Sequence, residues 1–437
     1  MKSNLFFALT FTSFLTFSPL ARGQDQPAAN QPDAKQRARA ARELVKQGQD
    51  GVPSLQRYVT DTDLGVRLEA VKALDDIGGP KTVDALVLAA RDPDPEIQIR
   101  ATDGLVNVYL PGYLKTGISG TLQRAGNSVK AKFTDTNDQV IDAYVEVRPE
   151  AIGALGHLAA AGASVESRAN ACRALGILRG GAAIPDLVQA LHSKDNQTMY
   201  EGLIALQKIR DVSAGPRAAF LLHDLEEKIQ LTAIETAGLL GNREAQPDLR
   251  DVLDHTHSAK VRRAATASLA MLAVAPDHAL FQKSLSDNDD AIRAAGAEGL
   301  GRLKDPADRA ALDKAFNAEH KLNTRLSIAF ALVSLGNLDM GEFSPFRYLI
   351  NTLNLRSYRG VALSFLTELA RDMTVRQALY PLLPRATKDE KIQLGIVLSR
   401  SGEKDSLPYL ETLQMDPDPE VAQESIRSLR ALRARLP

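Results

Sequence analysis

Apolar and small residues return along this chain with a helical period, and the pattern is clearest between Ser286 and Leu303. There an acidic stretch, Ser286-Asp287-Asn288-Asp289-Asp290, gives way to Ile292, Gly296, Leu300 and Leu303, spaced to share one helical face. With Leu300 as anchor, equivalent positions fall at Leu44, Leu74, Leu105, Leu175, Leu206, Ala237, Leu269, Leu332, Leu366, Leu398 and Leu429. Neighbouring anchors stand 30 to 34 residues apart, except for a gap of 70 between Leu105 and Leu175. Such a period predicts a stacked array in which no unit buries its apolar face alone.

Each unit predicts two helices. The second carries apolar or small residues at −8, −4, 0 and +3 from the anchor, as in Val66, Ala70, Leu74 and Ile77, or Val261, Ala265, Leu269 and Leu272. The first is shorter, as in Ile184–Leu191 and Leu407–Leu413. Pro185, Pro216, Pro247 and Pro408 stand ten residues past an anchor, in a first turn where a missing N–H is tolerated. Asp92, Asp224, Asp287 and Asp416 stand eighteen past, where a carboxylate can cap the following helix.

On these residues the chain resembles HEAT-like repeat proteins, in the short form of about 31 residues known from bilin lyases, over roughly 34–109 and 149–437. The Trp/Gly/Tyr pattern of tetratricopeptide repeats and the Thr-Pro-Leu-His signature of ankyrins are missing. The resemblance implies an all-α, right-handed α-solenoid of about 11–12 stacked helix pairs across 34–437. Function does not follow from it, because such repeats serve unrelated roles.

Composition agrees with close helix stacking. Aromatic residues are 5% of 437 and Trp is missing, so Ala, Leu, Ile and Val must fill the interior. A formal charge of −1 gives no general attraction to nucleic acid, and no nucleic-acid partner is expected. The single cysteine, Cys172, excludes an internal disulfide and reads as a buried apolar thiol. Residues 1–23 read as a signal peptide: Lys2, then the apolar Leu5–Phe17, then Ala21-Arg22-Gly23. Cleavage near Gly23 predicts a periplasmic or secreted protein with no integral membrane segment in its mature chain. Residues 24–33 form a short flexible leader.

Candidate chemistry is sparse. Arg37, Arg67, Arg168, Arg262, Arg293, Arg325, Arg359 and Lys391 stand seven residues before an anchor. Such a ladder could track phosphates, yet pairing with turn carboxylates to fix stacking register accounts for it better. His192, His223 and His255 mark equivalent turns, but stacked helices lie ~8–10 Å apart, too far for one ion whose ligands sit within ~2.0–2.3 Å. His255-Thr256-His257 alone could chelate locally, without an evident third ligand. Asp92-Pro93-Asp94-Pro95 and Asp416-Pro417-Asp418-Pro419 lack the Gly and distal Glu of an EF-hand. No metal, cofactor or catalytic constellation is expected.

Two features break the repeat. Residues 110–148 form an insertion, with Gly117, Gly120 and Gly126 followed by alternating apolar and polar positions that predict a β-hairpin over 128–148. Tyr109, Tyr113 and Tyr144 lie in or beside it, and Tyr is favoured at interfaces; a structural flap over the junction fits equally. At −2 and +2 from the anchor, outer repeats carry Lys72, Asp76, Asp103, Glu368, Arg400 and Arg427. Middle repeats place Ile177, Ile204, Leu239, Met271 and Phe330 there, either for lateral packing or as an apolar binding face. Arg427, Arg430, Arg433 and Arg435 give the final helix a polar outer face suited to an end cap. The expectation is a non-enzymatic scaffold that binds a protein or peptide through Tyr109, Tyr113, Tyr144, Ile177, Ile204, Leu239, Met271 and Phe330. A lyase or lyase subunit is the alternative that the resemblance permits.

Overall fold

A computed structural model describes residues 33–113, 139–142 and 144–436 of the chain. The signal peptide at 1–23 and most of the insertion lie outside the described residues. Regular structure within them is helical throughout. Second helices run from Ala34–Glu43 to Pro419–Arg435, and from Leu64–Ile77 onward each follows a first helix that is shorter, as the repeat predicts, except that Pro149–Ala161 equals Val165–Ile177 in length. Each second helix packs on the next, which makes the array an α-solenoid. Across the insertion, Pro95–Tyr109 packs directly on Val165–Ile177, so the stack continues unbroken.

Anchors carry the core. Leu74, Leu105, Leu175, Leu269, Leu332, Leu366 and Leu398 are fully buried, and Leu206, Ala237, Leu300 and Leu429 nearly so. Burying a Leu side chain contributes ~1.5–3 kcal/mol, so this line is a large part of what holds the units together. Leu44 departs from the pattern: it lies half-buried in a 3-10 turn.

Small residues set the spacing. A Cβ on Gly176 would lie 2.9 Å from the Ala205 Cα, one on Gly238 2.8 Å from the Ser268 Cα, and one on Gly301 2.6 Å from the Ala331 Cα. These glycines directly follow an anchor and face the residue directly before the next anchor. Successive second helices therefore touch backbone to backbone along one seam.

The turns divide labour between two aspartates. Asp94, Asp289 and Asp418 are the actual N-caps, accepting from Ile97, Ile292 and Val421 among others. Asp92, Asp287 and Asp416, expected to cap, instead accept the N–H of Asp94, Asp289 and Asp418, two residues on. Their free oxygens receive the basic ladder: Arg67 reaches Asp92 at 2.6 Å, Arg262 Asp287 at 3.5 Å and Lys391 Asp416 at 2.7 Å. Arg37 likewise binds Asp61 with both arms, Arg293 binds Glu319 and Arg359 binds Asp389. Arg67 and Arg293 also donate to carbonyls of their own turn. Each rung thus joins one turn to the next, which is the register role expected of it. Arg325 differs, resting between the Phe316 and Tyr348 rings at 4.6 and 4.9 Å.

The β-hairpin expected over 128–148 is not supported. Its first arm lies outside the described residues, and 139–148 contains no strand among the residues described. The reason is visible at Ile141, whose N–H donates to the Ile177 carbonyl at 3.0 Å while its side chain is buried. A helix end takes the donor that a partner strand would need. Tyr109 then accepts from the Arg148 N–H at 3.1 Å, and Arg148 reaches Asp84 at 2.7 Å, pinning the returning chain before helix Pro149–Ala161.

Candidate functional site

The carboxyl-terminal helices come back to face the middle of the array. Residues Arg179, Lys208, Arg210 and Leu239 form one wall of a cleft of ≈ 850 Å³, and Ile396, Arg400, Arg427 and Arg435 form the opposite wall. Val140, Ile141 and Asp142, the end of the insertion, line it as well. Second helices from distant repeats meet across this space, so it lies on the inner side of the curved stack. A cleft of this size is in the range that encloses a small ligand or a short segment of chain.

The lining is cationic. Six of its side chains are Lys or Arg, against the two carboxylates Asp142 and Glu424, in a chain whose overall charge is −1. Arg427 pairs with Glu424, and Arg435 donates to the Gly402 carbonyl. Arg179, Arg210 and Arg400 have exposed side chains that make no ion pair or hydrogen bond among the described residues. Burial in the cleft first, and the Arg400 guanidinium second, push the pKa of Arg179 below its ordinary value; burial, Arg179 and Arg371 do the same to Arg210. Glu424 is raised above the usual carboxylate range by burial, with Asp142 adding to it.

Two of these residues also sit in an uncommon backbone conformation. Four residues past the anchor the chain turns through positive φ, at Gly48 (55°), Gly78 (59°), Arg179 (51°), Arg210 (64°), Gly241 (63°), Ala273 (44°), Lys304 (57°) and Gly336 (87°). Glycine adopts this conformation freely, whereas a side chain there costs about 1–2 kcal/mol. Cations near a helix C-terminus recover a part of this. Arg179 and Arg210 occupy the strained position in neighbouring repeats and both face the cleft.

The expected binding residues fall into three groups. Leu239 lines the cleft, with Arg400 and Arg427 at the same −2 or +2 register. Met271 is 37% exposed. Ile177, Ile204 and Phe330 are buried, Phe330 against Phe365 at 4.8 Å with the Arg302 guanidinium 5.0 Å from its ring, so they offer no surface in this conformation. Tyr144 is exposed beside the cleft, its hydroxyl donating to Asp142 at 2.8 Å. Tyr109 holds the insertion, and Tyr113 is half-buried, its hydroxyl pKa raised by burial and then by Asp103. Sequence reasoning missed Arg179 and Arg210, although a non-glycine at a position glycine favours was there to be read.

Other reactive groups are structural. Burial pushes the Cys172 thiol pKa well up, which leaves it unreactive. His255 Nδ1–H donates to the Asp251 carbonyl at 2.9 Å, and His192 stacks on Phe220 at 4.4 Å. His278, Asp305 and Asp308 bring ligand-type atoms within 4.8 Å of one another. Here His278 meets Asp308 at 2.7 Å and Gln282 donates to its other oxygen at 2.8 Å. One repeat earlier the buried Asp277 receives Arg250 at 2.7 Å and Gln246 at 2.9 Å from equivalent positions. The histidine cluster is therefore a second copy of an inter-repeat link.

No helix among the described residues is long and apolar enough to cross a membrane. The family model for HEAT repeats matches residues 26–106. No curated protein matches the chain. Among solved structures, an engineered protein is 20% identical, with 92% of this chain and 97% of that one covered and a TM-score of 0.35. The complex of CpcE and CpcF of phycocyanin lyase from Nostoc sp. is 19% identical over 75% and 96%, with a TM-score of 0.30. The Escherichia coli protein YibA is 15% identical over 70% and 98%, with a TM-score of 0.39. Residues 26–106 match the family, and the same helix pairs, capped turns and carboxylate–cation rungs continue to the carboxyl end: this is a HEAT-like repeat protein.

Proposed function

We propose that the protein is an exported, non-catalytic scaffold that binds a protein or peptide segment in the inner cleft. The observation carrying this reading is the cleft itself, walled by repeats far apart in sequence and by the end of the insertion. A site assembled this way exists only when the array is complete, so binding and array integrity are coupled. Its polar groups are mainly guanidiniums, which stay protonated and serve as fixed donors rather than as acids or bases. The test places a photo-crosslinking residue at Leu239, inside the cleft, or at Met415, 85% exposed and not among its lining residues. In the producing cells, position 239 should crosslink to a polypeptide and position 415 should not, with the protein recovered outside the cytoplasm. Equal labelling at both positions, or retention in the cytoplasm, would overturn the reading.

A further inference from the structure

Three guanidiniums in the cleft make no hydrogen bond or salt bridge among the described residues, although the two carboxylates of its lining, Asp142 and Glu424, act at longer range on Arg179 and Arg400. Arg37, Arg67, Arg168, Arg293 and Arg359 each reach a carboxylate of the next turn. Arg173 pairs with Glu201, and Arg302 with Glu368 through two arms. Arg179, Arg210 and Arg400 do not pair, although they converge on one space. Two of them also stand at the positive-φ position that holds Gly241 and Gly336, with Ala273 and Lys304 in other repeats, so glycine would relax the backbone there. With six cations against two carboxylates around one space, an anionic ligand would relieve the mutual repulsion.

Resting on the scaffold reading above, we infer that the cleft recognises an acidic peptide segment, with Arg179, Arg210 and Arg400 as its carboxylate-binding residues. Guanidinium forks match carboxylates bidentately, so three of them around one cleft suit a segment that carries several acidic side chains. Val140, Leu239, Ile396 and Ala431 line the same cleft, which suits apolar side chains beside the acidic ones. A single-stranded nucleic acid fits less well, since its bases stack on aromatic platforms and no aromatic residue lines the cleft among the described residues.

The test measures fluorescence polarisation of the purified protein with a short labelled peptide of alternating glutamate and leucine. Its glutamine counterpart, a thymidine strand of equal length and inorganic pyrophosphate as competitor complete the set. The acidic peptide should bind, weaken with added salt and exceed the glutamine peptide by at least tenfold. The double variant R179G/R210G should bind it about tenfold more weakly, the order expected for losing two partly screened charge contacts. Its melting temperature should be unchanged or higher, because glycine relaxes both positions. Equal binding of the two peptides, unchanged binding by the double variant, or a lower melting temperature would overturn the inference, as would preferred binding of the thymidine strand or of pyrophosphate. Should position 239 still crosslink to a polypeptide in the double variant, acid recognition falls while the scaffold reading stands.

Discussion

The backbone seam makes the same substitution change sign between two sites. A Cβ at Gly301 would meet the Ala331 Cα at 2.6 Å and its Cβ at 2.9 Å, well inside the ~3.5–4.0 Å optimum for carbon atoms. The obstacle is backbone, so the helices Asp290–Leu303 and Leu322–Ser334 must part. Overpacking of this kind costs ~1–3 kcal/mol, against the ~0.8–1 kcal/mol by which Ala favours a helix over Gly. Gly301→Ala should therefore destabilise by up to a net ~2 kcal/mol. At Gly153, exposed within Pro149–Ala161, a Cβ would meet nothing within 4 Å. There Gly153→Ala keeps only the propensity gain and should stabilise by ~0.5–1 kcal/mol. Urea unfolding followed by far-UV circular dichroism compares the two midpoints. Because repeat arrays can unfold in parts, hydrogen exchange should place the Gly301 effect in 290–334. An upward midpoint shift for Gly301→Ala like that of Gly153→Ala would refute the close-seam argument.

Two further outcomes follow from burial and charge. From sequence, Phe330→Asp and Met271→Asp should both weaken binding more than stability; the structure separates them, with Phe330 1% and Met271 37% exposed. Phe330→Asp strands a carboxylate in the core and should cost more than ~4 kcal/mol or prevent folding, whereas Met271→Asp should stay within ~0.5–1 kcal/mol. Equal losses in urea unfolding would refute that separation. With pH, Asp61 is held below the usual carboxylate range by its hydrogen bond from Arg37, Asp416 by Lys391 and Asp289 by Arg263. Such lowered groups stabilise the fold above their unfolded pKa of about 4 and lose that as pH falls through the folded value. Glu298 is instead raised, by burial, so its contribution is present below the unfolded pKa and lost as pH rises through the folded one. Melting temperature should fall steeply below about pH 4 and only slightly on the alkaline side of the carboxylate range; a rise on acidification to pH 3 would refute the rungs' role.

What could be read in sequence follows from how locally each feature is determined. Anchors, helix lengths and the proline positions depend on contacts within one unit and its neighbour, so Leu175, Leu300 and Leu398 were identifiable from spacing alone. The basic ladder was legible too, because a rung at −7 needs only the next turn's carboxylate. Capping was misassigned by two residues: Asp92 and Asp94 look alike in sequence, and only the Arg67 contact separates their work. For Phe330 and Ile204 a straight helical wheel leaves lateral packing and an apolar binding face both open, because it ignores lateral neighbours; here both are buried, and Phe365 covers Phe330. The hairpin failed for a related reason, since alternation cannot reveal that a helix end at Ile177 takes the donor of Ile141.

The cleft was the least legible feature, because it joins residues as far apart as Asp142 and Arg435 through the curvature of the whole stack. One local trace of it exists nonetheless. The repeat uses arginine in two registers with opposite consequences. At −7 the side chain lies over the turn and finds the next unit's carboxylate, so its charge is neutralised inside the fold. At +4 the backbone has turned into positive φ, no carboxylate of the repeat stands opposite, and the side chain of Arg179 or Arg210 faces the inner space. Glycine at +4 would serve the turn better, as Gly241 and Gly336 show. Since Ala273 and Lys304 take the same position without facing the cleft, what sets Arg179 and Arg210 apart is that they meet Arg400 around one space, and that convergence is the part of the pattern that an entering ligand explains.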